Sequence, residues 1–292
     1  MAGRFGAVLT AMVTPFDDKG TLDLDRAIEL AHWLLGRGND GLVIAGTTGE
    51  SATLSHDEQI ALIEAVAGSV DAPVVAGTGS NDTRASVELT QRATEAGATG
   101  ILSVTPYYNR PSQEGIYEHF KATAQATDRP VVLYDIPARS GRKIETPTLL
   151  RLAELDNVVA VKDAAGNPSG TAEFLAEAPD GFELYSGDDS LTLPFLSVGG
   201  VGVIGVCTHW TGVEMGEMIA AFEAGDVARA AAINRTLIPS YNYEAMDDAP
   251  NPVPSKAMLR VLGMDVGGCR LPMGPEPADL EDRAKAVAAG LA

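Results

Sequence analysis

Short runs of β-branched and aliphatic residues alternate along the chain with longer stretches of helical periodicity. The runs fall at residues 7–13, 41–45, 73–76, 100–104, 131–134, 158–161, 182–185 and 202–206. They are continuous in Val, Ile and Leu and do not alternate apolar with polar positions. Strands of a parallel sheet read this way, because helices cover their faces. The stretches between them carry helix punctuation. Ser55 with Glu58 forms a capping-box pattern ahead of residues 59–66. Asp82 precedes a helical stretch at 83–95, and Gly97 follows it as a stop. Pro147 and Pro168 stand where a first helical turn tolerates proline.

Eight strand–helix units with strand starts 20–34 residues apart satisfy the count for an α/β fold of the closed (β/α)8 TIM-barrel type. An open doubly wound sheet could also use eight units. It usually needs a glycine-rich phosphate loop after its first strand, and here that strand leads into Thr14-Pro15-Phe16. The barrel, carrying the active site, is assigned to residues 1–224. Residues 225–292 form a C-terminal helical region with Ala-rich patterns at 226–244, 255–262 and 278–289 between proline-rich turns, a packing or assembly element.

The length of 292 residues suits one barrel, and 45% hydrophobic with 21% charged residues is the balance of a folded globule. With aromatics at 5%, the core must be built mainly from Ala, Val, Ile and Leu. Lys and Arg total 21 against 40 Asp and Glu, a formal charge of −19 that repels nucleic acid and anionic lipid. No apolar run reaches the roughly 18 residues of a membrane span. The N-terminus lacks the order of a secretory leader, so a cytoplasmic protein is expected. Cys207 and Cys269 make neither a disulfide framework nor a metal knuckle and are expected as reduced thiols. His32, His56, His119 and His209 show no ligand spacing, so no catalytic metal is expected. Residues 200–205 match G-x-G-x-x-G but run into a strand instead of opening a helix, which argues against a dinucleotide site.

In a barrel, chemistry collects where strands end. The second strand runs into Gly46-Thr47-Thr48-Gly49-Glu50-Ser51, the fourth into Thr105-Pro106-Tyr107-Tyr108-Asn109, the fifth into Tyr134 and then Arg139, the sixth into Lys162-Asp163 and the seventh into Gly187-Asp188-Asp189. Lys162 closes an apolar run, whereas the other five lysines fall in helical or loop stretches where solvent exposure is expected. An ordinary lysine is neutral at only about a few parts in ten thousand at pH 7. Desolvation by apolar walls would free its amine to attack a ketone and form an imine. A strand-end lysine snorkelling to solvent is the competing reading. Tyr134, one strand away at matching height, could relay protons or simply close the core. Thr47 and Thr48 could present hydroxyl and N–H groups to a carboxylate, and Arg139 could clamp one.

Taken with Val13-Thr14-Pro15-Phe16, residues 106–111 and 134–141, Val161-Lys162-Asp163, residues 199–204, Asn251-Pro252-Val253-Pro254-Ser255-Lys256 and Arg270-Leu271-Pro272-Met273, these motifs make the chain resemble the dihydrodipicolinate synthase / N-acetylneuraminate lyase family of Schiff-base lyases. The separation of 28 residues between Tyr134 and Lys162 fits that pattern. The resemblance implies that Lys162 forms an imine with pyruvate. Tyr134, Thr47 and Tyr108 would relay protons, with Tyr108 reaching in from a neighbouring subunit. Thr47 and Thr48 would hold the pyruvate carboxylate, the backbone at Gly187 and Ile204 would line the pocket, and Arg139 would bind the carboxylate of L-aspartate 4-semialdehyde.

The product implied is 4-hydroxy-tetrahydrodipicolinate, on the route to diaminopimelate and lysine. No organic cofactor or metal is implied, and the expected assembly is a homotetramer, a dimer of dimers. Arg139 favours this reading over a retro-aldol enzyme for 2-keto-3-deoxy sugar acids or N-acetylneuraminate, whose aldehyde is a polyol. A catalytically silent relative is disfavoured by the complete Lys, Tyr and Thr set. Members inhibited by lysine would use Ser51, Ala52, His56, Asn81 and Tyr107. Gln59 and Ala85 stand where those members carry a histidine and a glutamate, which puts lysine inhibition in doubt. Residues 207–210 also depart from the small polar residues expected there.

Overall fold

A computed structural model describes residues 3–291. Among the described residues eight strands, β1 (Val8–Ala11), β2 (Gly41–Ile44), β3 (Val74–Gly77), β4 (Gly100–Val104), β5 (Val131–Asp135), β6 (Val158–Asp163), β7 (Glu183–Ser186) and β8 (Gly202–Gly205), form a closed parallel barrel in sequence order. β8 closes it by pairing Val203 with Val8 and Ile204 with Leu9. The helices, in chain order, are α1 (Leu24–Leu35), α2 (His56–Ala67), α3 (Thr83–Glu95), α4 (Gln113–Ala124), α5 (Pro137–Ser140), α6 (Thr146–Ala153), α7 (Pro168–Leu175), α8 (Thr192–Leu196), α9 (Thr208–Glu223), α10 (Val227–Glu244), α11 (Val253–Val261) and α12 (Leu280–Ala289). Among the described residues no helix is long and apolar enough to cross a membrane.

The barrel and its strand positions are those read from the hydrophobic pattern, with shifted edges. β1 ends at Ala11, not at residue 13, and β6 runs on through Lys162 to Asp163. Pleating sorts each strand's residues between two cores. Leu9, Ala11, Val43, Val75, Leu102, Val132, Ala160 and Ile204 fill the barrel interior. Their neighbours Leu42, Ile44, Val74, Ile101, Leu133 and Val161 pack outward under the helices. Lys162 has the parity of Ala160, and Tyr134 the parity of Val132, so both belong to the inward set.

Helix starts follow the capping chemistry. Ser55 Oγ accepts from Glu58 N at 3.2 Å while Glu58 Oε2 accepts from Ser55 N at 2.8 Å, the reciprocal box that begins α2. Asp82 caps α3, and Pro147 and Pro168 occupy first turns. In the tail, α11 begins two residues earlier than the periodicity predicts, because Pro254 is accommodated in its first turn.

One expectation is overturned. Lys256, placed by sequence among the exposed lysines, is fully buried. Its Nζ lies 2.7 Å from Glu50 Oε1 and donates to Gly268 O at 2.8 Å. Helical position alone cannot show that a distant carboxylate will meet it. Around that pair the tail grips the loop after β2. Glu50 Oε2 accepts from Arg270 N at 2.8 Å, Arg270 Nη2 donates to Glu58 Oε1 at 2.6 Å, and Asn251 Nδ2 donates to Thr48 Oγ1 at 2.9 Å. Glu50 itself sits at φ 56°, a left-handed conformation that its surroundings must hold. The Arg270 guanidinium and the Ser55 amide pull the Glu58 carboxyl down to about 2.

Removing one member of a buried ion pair leaves the other charge uncompensated, at a cost of roughly 3–5 kcal/mol. Lys256→Met should therefore destabilise the chain by about that much in urea unfolding at matched protein concentration. Lys256→Met with Glu50→Gln should recover most of the loss. Equal stability of the single and double variants would show that the pair does not hold the tail.

Candidate active site

Lys162 and Tyr134 are register partners across β5 and β6. Both are buried, at 4% and 6% exposure, and the Lys162 Nζ lies 4.4 Å from the centre of the Tyr134 ring. Among the described residues the amine has no hydrogen bond and no carboxylate in ion-pair contact. It forms part of the wall of a cavity of about 280 Å3, together with Thr47, Thr48, Arg139, Gly187 and Glu244. Gly187 is required by proximity, since a Cβ there would stand 3.0 Å from Lys162 Cγ and 2.9 Å from Ala164 Cβ.

Burial pulls the Lys162 ammonium down to about 8, against Asp189 and Glu244, which favour its charge; Arg139 acts with burial. At pH 7 roughly one amine in ten is then neutral. The nucleophile is therefore present in quantity, although most molecules still carry the ammonium. Burial pushes the Tyr134 phenol well above its ordinary range, so it keeps its proton at neutral pH. It is placed as a proton donor, not as a standing base. Asp189, buried in the wall of the same cavity, is raised to about 6 by desolvation, while the Val206 and Cys207 amides donate to it at 2.9 and 3.1 Å.

The structure gathers Lys162, Tyr134, Thr47, Thr48, Arg139 and Gly187 on one cavity. It does not join the three groups expected as a proton relay: among the described residues no hydrogen bond links Tyr134, Thr47 and Tyr108. Tyr108 is 89% exposed and lies on a second cavity of about 430 Å3, which shares Thr47, Tyr134 and Arg139 with the first. Ile204 is wholly buried in the barrel interior, and Val206, two residues on, lines the cavity instead. Of the five residues expected at a lysine site, Ser51, Ala52 and Tyr107 line the larger cavity. His56 opens α2, and Asn81 uses its carbonyl to accept from Asn109 Nδ2 at 2.9 Å. The Gln59 amide donates to Ser51 O at 2.9 Å, and Ala85 lies within α3.

Residues 207–210 serve packing, away from the cavity. Cys207 Sγ donates to Ser240 O at 3.3 Å, and Trp210 Nε1 donates to Ser240 Oγ at 3.0 Å, which ties α9 to α10. His209 Nε2 accepts from Val13 N at 3.1 Å, so its Nδ1 carries the proton toward Val206 O at 2.7 Å. Burial lowers that imidazole to about 4 and keeps it neutral. Glu244, the last residue of α10, escaped the sequence reading although it lines the cavity. The signal was present: an acid at a helix C-terminus opposes the helix dipole and needs a reason to be there.

The chain matches the model of the dihydrodipicolinate synthetase family over residues 4–289. It is 51% identical over 288 residues to a 4-hydroxy-tetrahydrodipicolinate synthase of Moorella thermoacetica, covering 98% of this chain and 97% of that one. A crystal structure of a dihydrodipicolinate synthase from Bacillus anthracis superposes with a TM-score of 0.95 at 45% identity, covering 98% of each chain. One from Cyanidioschyzon merolae with lysine bound does so with a TM-score of 0.95 at 40% identity, covering 99% of this chain and 98% of that one. The fold and site are thus those of a barrel that presents a buried amine at its mouth. The chain belongs to the dihydrodipicolinate synthetase family.

Because only the neutral amine attacks a carbonyl, the rate of imine formation with pyruvate should rise with pH and level off above about 8. Borohydride trapping at a series of pH values measures it. A midpoint near the ordinary lysine value would show that burial does not tune Lys162.

Proposed function

We propose that this chain condenses pyruvate with L-aspartate 4-semialdehyde to 4-hydroxy-tetrahydrodipicolinate. The observation that carries the reading is the buried, uncompensated Lys162 amine on a cavity that also presents Arg139. The neutral amine adds to the ketone carbon of pyruvate, and the carbinolamine loses water to give an imine. The protonated imine withdraws electrons, a proton leaves the methyl group, and an enamine forms. The enamine carbon bonds to the aldehyde carbon, whose C=O π bond opens and takes up a proton as a hydroxyl, and the nitrogen lone pair restores the protonated imine. The α-amino group of the added fragment then attacks the imine carbon, the bond to Lys162 Nζ breaks, and the ring closes as the amine is regenerated. The imine is the electron sink when the methyl proton leaves and again when the ring closes, and the enamine between them is the nucleophile, so this chemistry calls for no metal or organic cofactor.

The protonated Tyr134 phenol supplies the proton with which the carbinolamine oxygen departs as water. Thr47 and Thr48 hold the pyruvate carboxylate, the latter fixed by the Asn251 amide. The exposed Tyr108 ring supports a relay completed by a second copy of the chain, in the homotetramer that the family resemblance implies for a cytoplasmic enzyme of lysine biosynthesis. Arg139 binds the carboxylate of the aldehyde partner, which a polyol aldehyde lacks. In the larger cavity Arg110 and Arg139 are present and, among the described residues, no carboxylate is. That wall offers no carboxylate to an incoming lysine ammonium, which argues against lysine feedback.

Turnover with pyruvate should favour aspartate semialdehyde over glyceraldehyde by roughly a hundredfold or more in kcat/KM. Arg139→Ala should reduce the semialdehyde reaction by about ten- to a hundredfold, the weight of a charge-assisted hydrogen-bond pair. A preference for glyceraldehyde would contradict the reading.

A further inference from the structure

Three acids line the Lys162 cavity, and two of them are occupied. Asp188 Oδ1 accepts from Ser190 N at 2.9 Å and from Ser190 Oγ at 2.7 Å. Asp189 accepts from the amides of Val206 and Cys207. Glu244 differs: among the described residues its carboxyl has no hydrogen bond and no ion pair. The Arg139 guanidinium on the same cavity is also without a hydrogen bond or ion pair among those residues. A cation and an anion therefore share one cavity of about 280 Å3 with no hydrogen bond or ion pair between them.

The position of Glu244 works against its own surroundings. It ends α10, where the helix dipole disfavours an acid. Burial raises its carboxyl to about 7, with Asp189 and Asp188 adding to the rise and Arg139 and Lys162 opposing it. Its charge also favours the ammonium form of Lys162, which holds back the nucleophile. A group with these costs and no internal partner suits a cation that arrives with the substrate.

Resting on the condensation proposed above, we infer that Glu244 receives the α-ammonium of the aldehyde substrate while Arg139 holds its α-carboxylate. The two side chains together read an α-amino acid headgroup. They select the amino aldehyde over its deaminated analogue, and they aim the nitrogen that, once its proton has passed to the Glu244 carboxylate, closes the ring at the imine carbon. Glu244 is a specificity-determining residue in this account, and Lys162 remains the nucleophile.

The test compares two aldehydes that differ only in the α-amino group, L-aspartate semialdehyde as substrate and succinate semialdehyde as inhibitor, in the full-length enzyme. Glu244→Gln keeps the size and removes the charge. It should raise KM for aspartate semialdehyde about tenfold while changing the Ki of succinate semialdehyde less than about twofold. Glu244→Asp, which keeps the charge, should recover part of the discrimination. Parallel changes in both constants, or an unchanged KM, would overturn the inference while leaving the condensation intact. A wild-type enzyme inert toward aspartate semialdehyde would overturn both.

Discussion

The site depends on an amine taken out of water and given no counter-ion. Burying an ammonium without a partner is costly, and a side chain in that position answers by surrendering its proton more readily. The barrel imposes this condition on Lys162 through its pleat. Ala160 and Lys162 face inward on β6, Val161 faces outward, and the inward end of the strand opens on a cavity bounded by Tyr134 and Arg139. The scaffold thus creates a nucleophile by withholding a partner.

Lys256 shows the opposite treatment of the same side chain. It is more deeply buried than Lys162, at 0% against 4%, but Glu50 meets it at 2.7 Å and Gly268 O accepts a hydrogen bond from it. Its role is to hold the tail against the loop that presents Thr47 and Thr48. One lysine is paired and structural, and the other is unpaired and reactive. The two are linked, because the loop fixed by the first supplies part of the cavity wall beside the second. The tail contributes chemistry of its own through Glu244 and contributes positioning through Asn251.

The barrel was legible in the sequence because continuous apolar runs of strand length repeat at barrel spacing and carry helix caps between them. Lys162 and Tyr134 were legible because each closes such a run, so a local pattern placed them. What escaped was non-local. The burial of Lys256 depends on Glu50, and the cavity position of Glu244 depends on where the end of α10 is packed against the barrel; neither follows from periodicity. The charge state of Lys162 was legible only in direction. Its neutral fraction reflects a balance among burial, Asp189, Glu244 and Arg139 that requires all four in place. Ile204 was expected to line the pocket through its backbone; it shares the inward parity of Val206 but lies two residues deeper in the barrel, so Val206 reaches the wall in its place.

The most direct measurement is peptide mapping by mass spectrometry after borohydride reduction in the presence of pyruvate. Both Lys162 and Lys256 are buried with lowered pKa values, so burial alone does not distinguish them. The account predicts a single reduced three-carbon adduct on the peptide that contains Lys162 and none on the peptide that contains Lys256. An adduct on Lys256, or an unmodified Lys162, would contradict it.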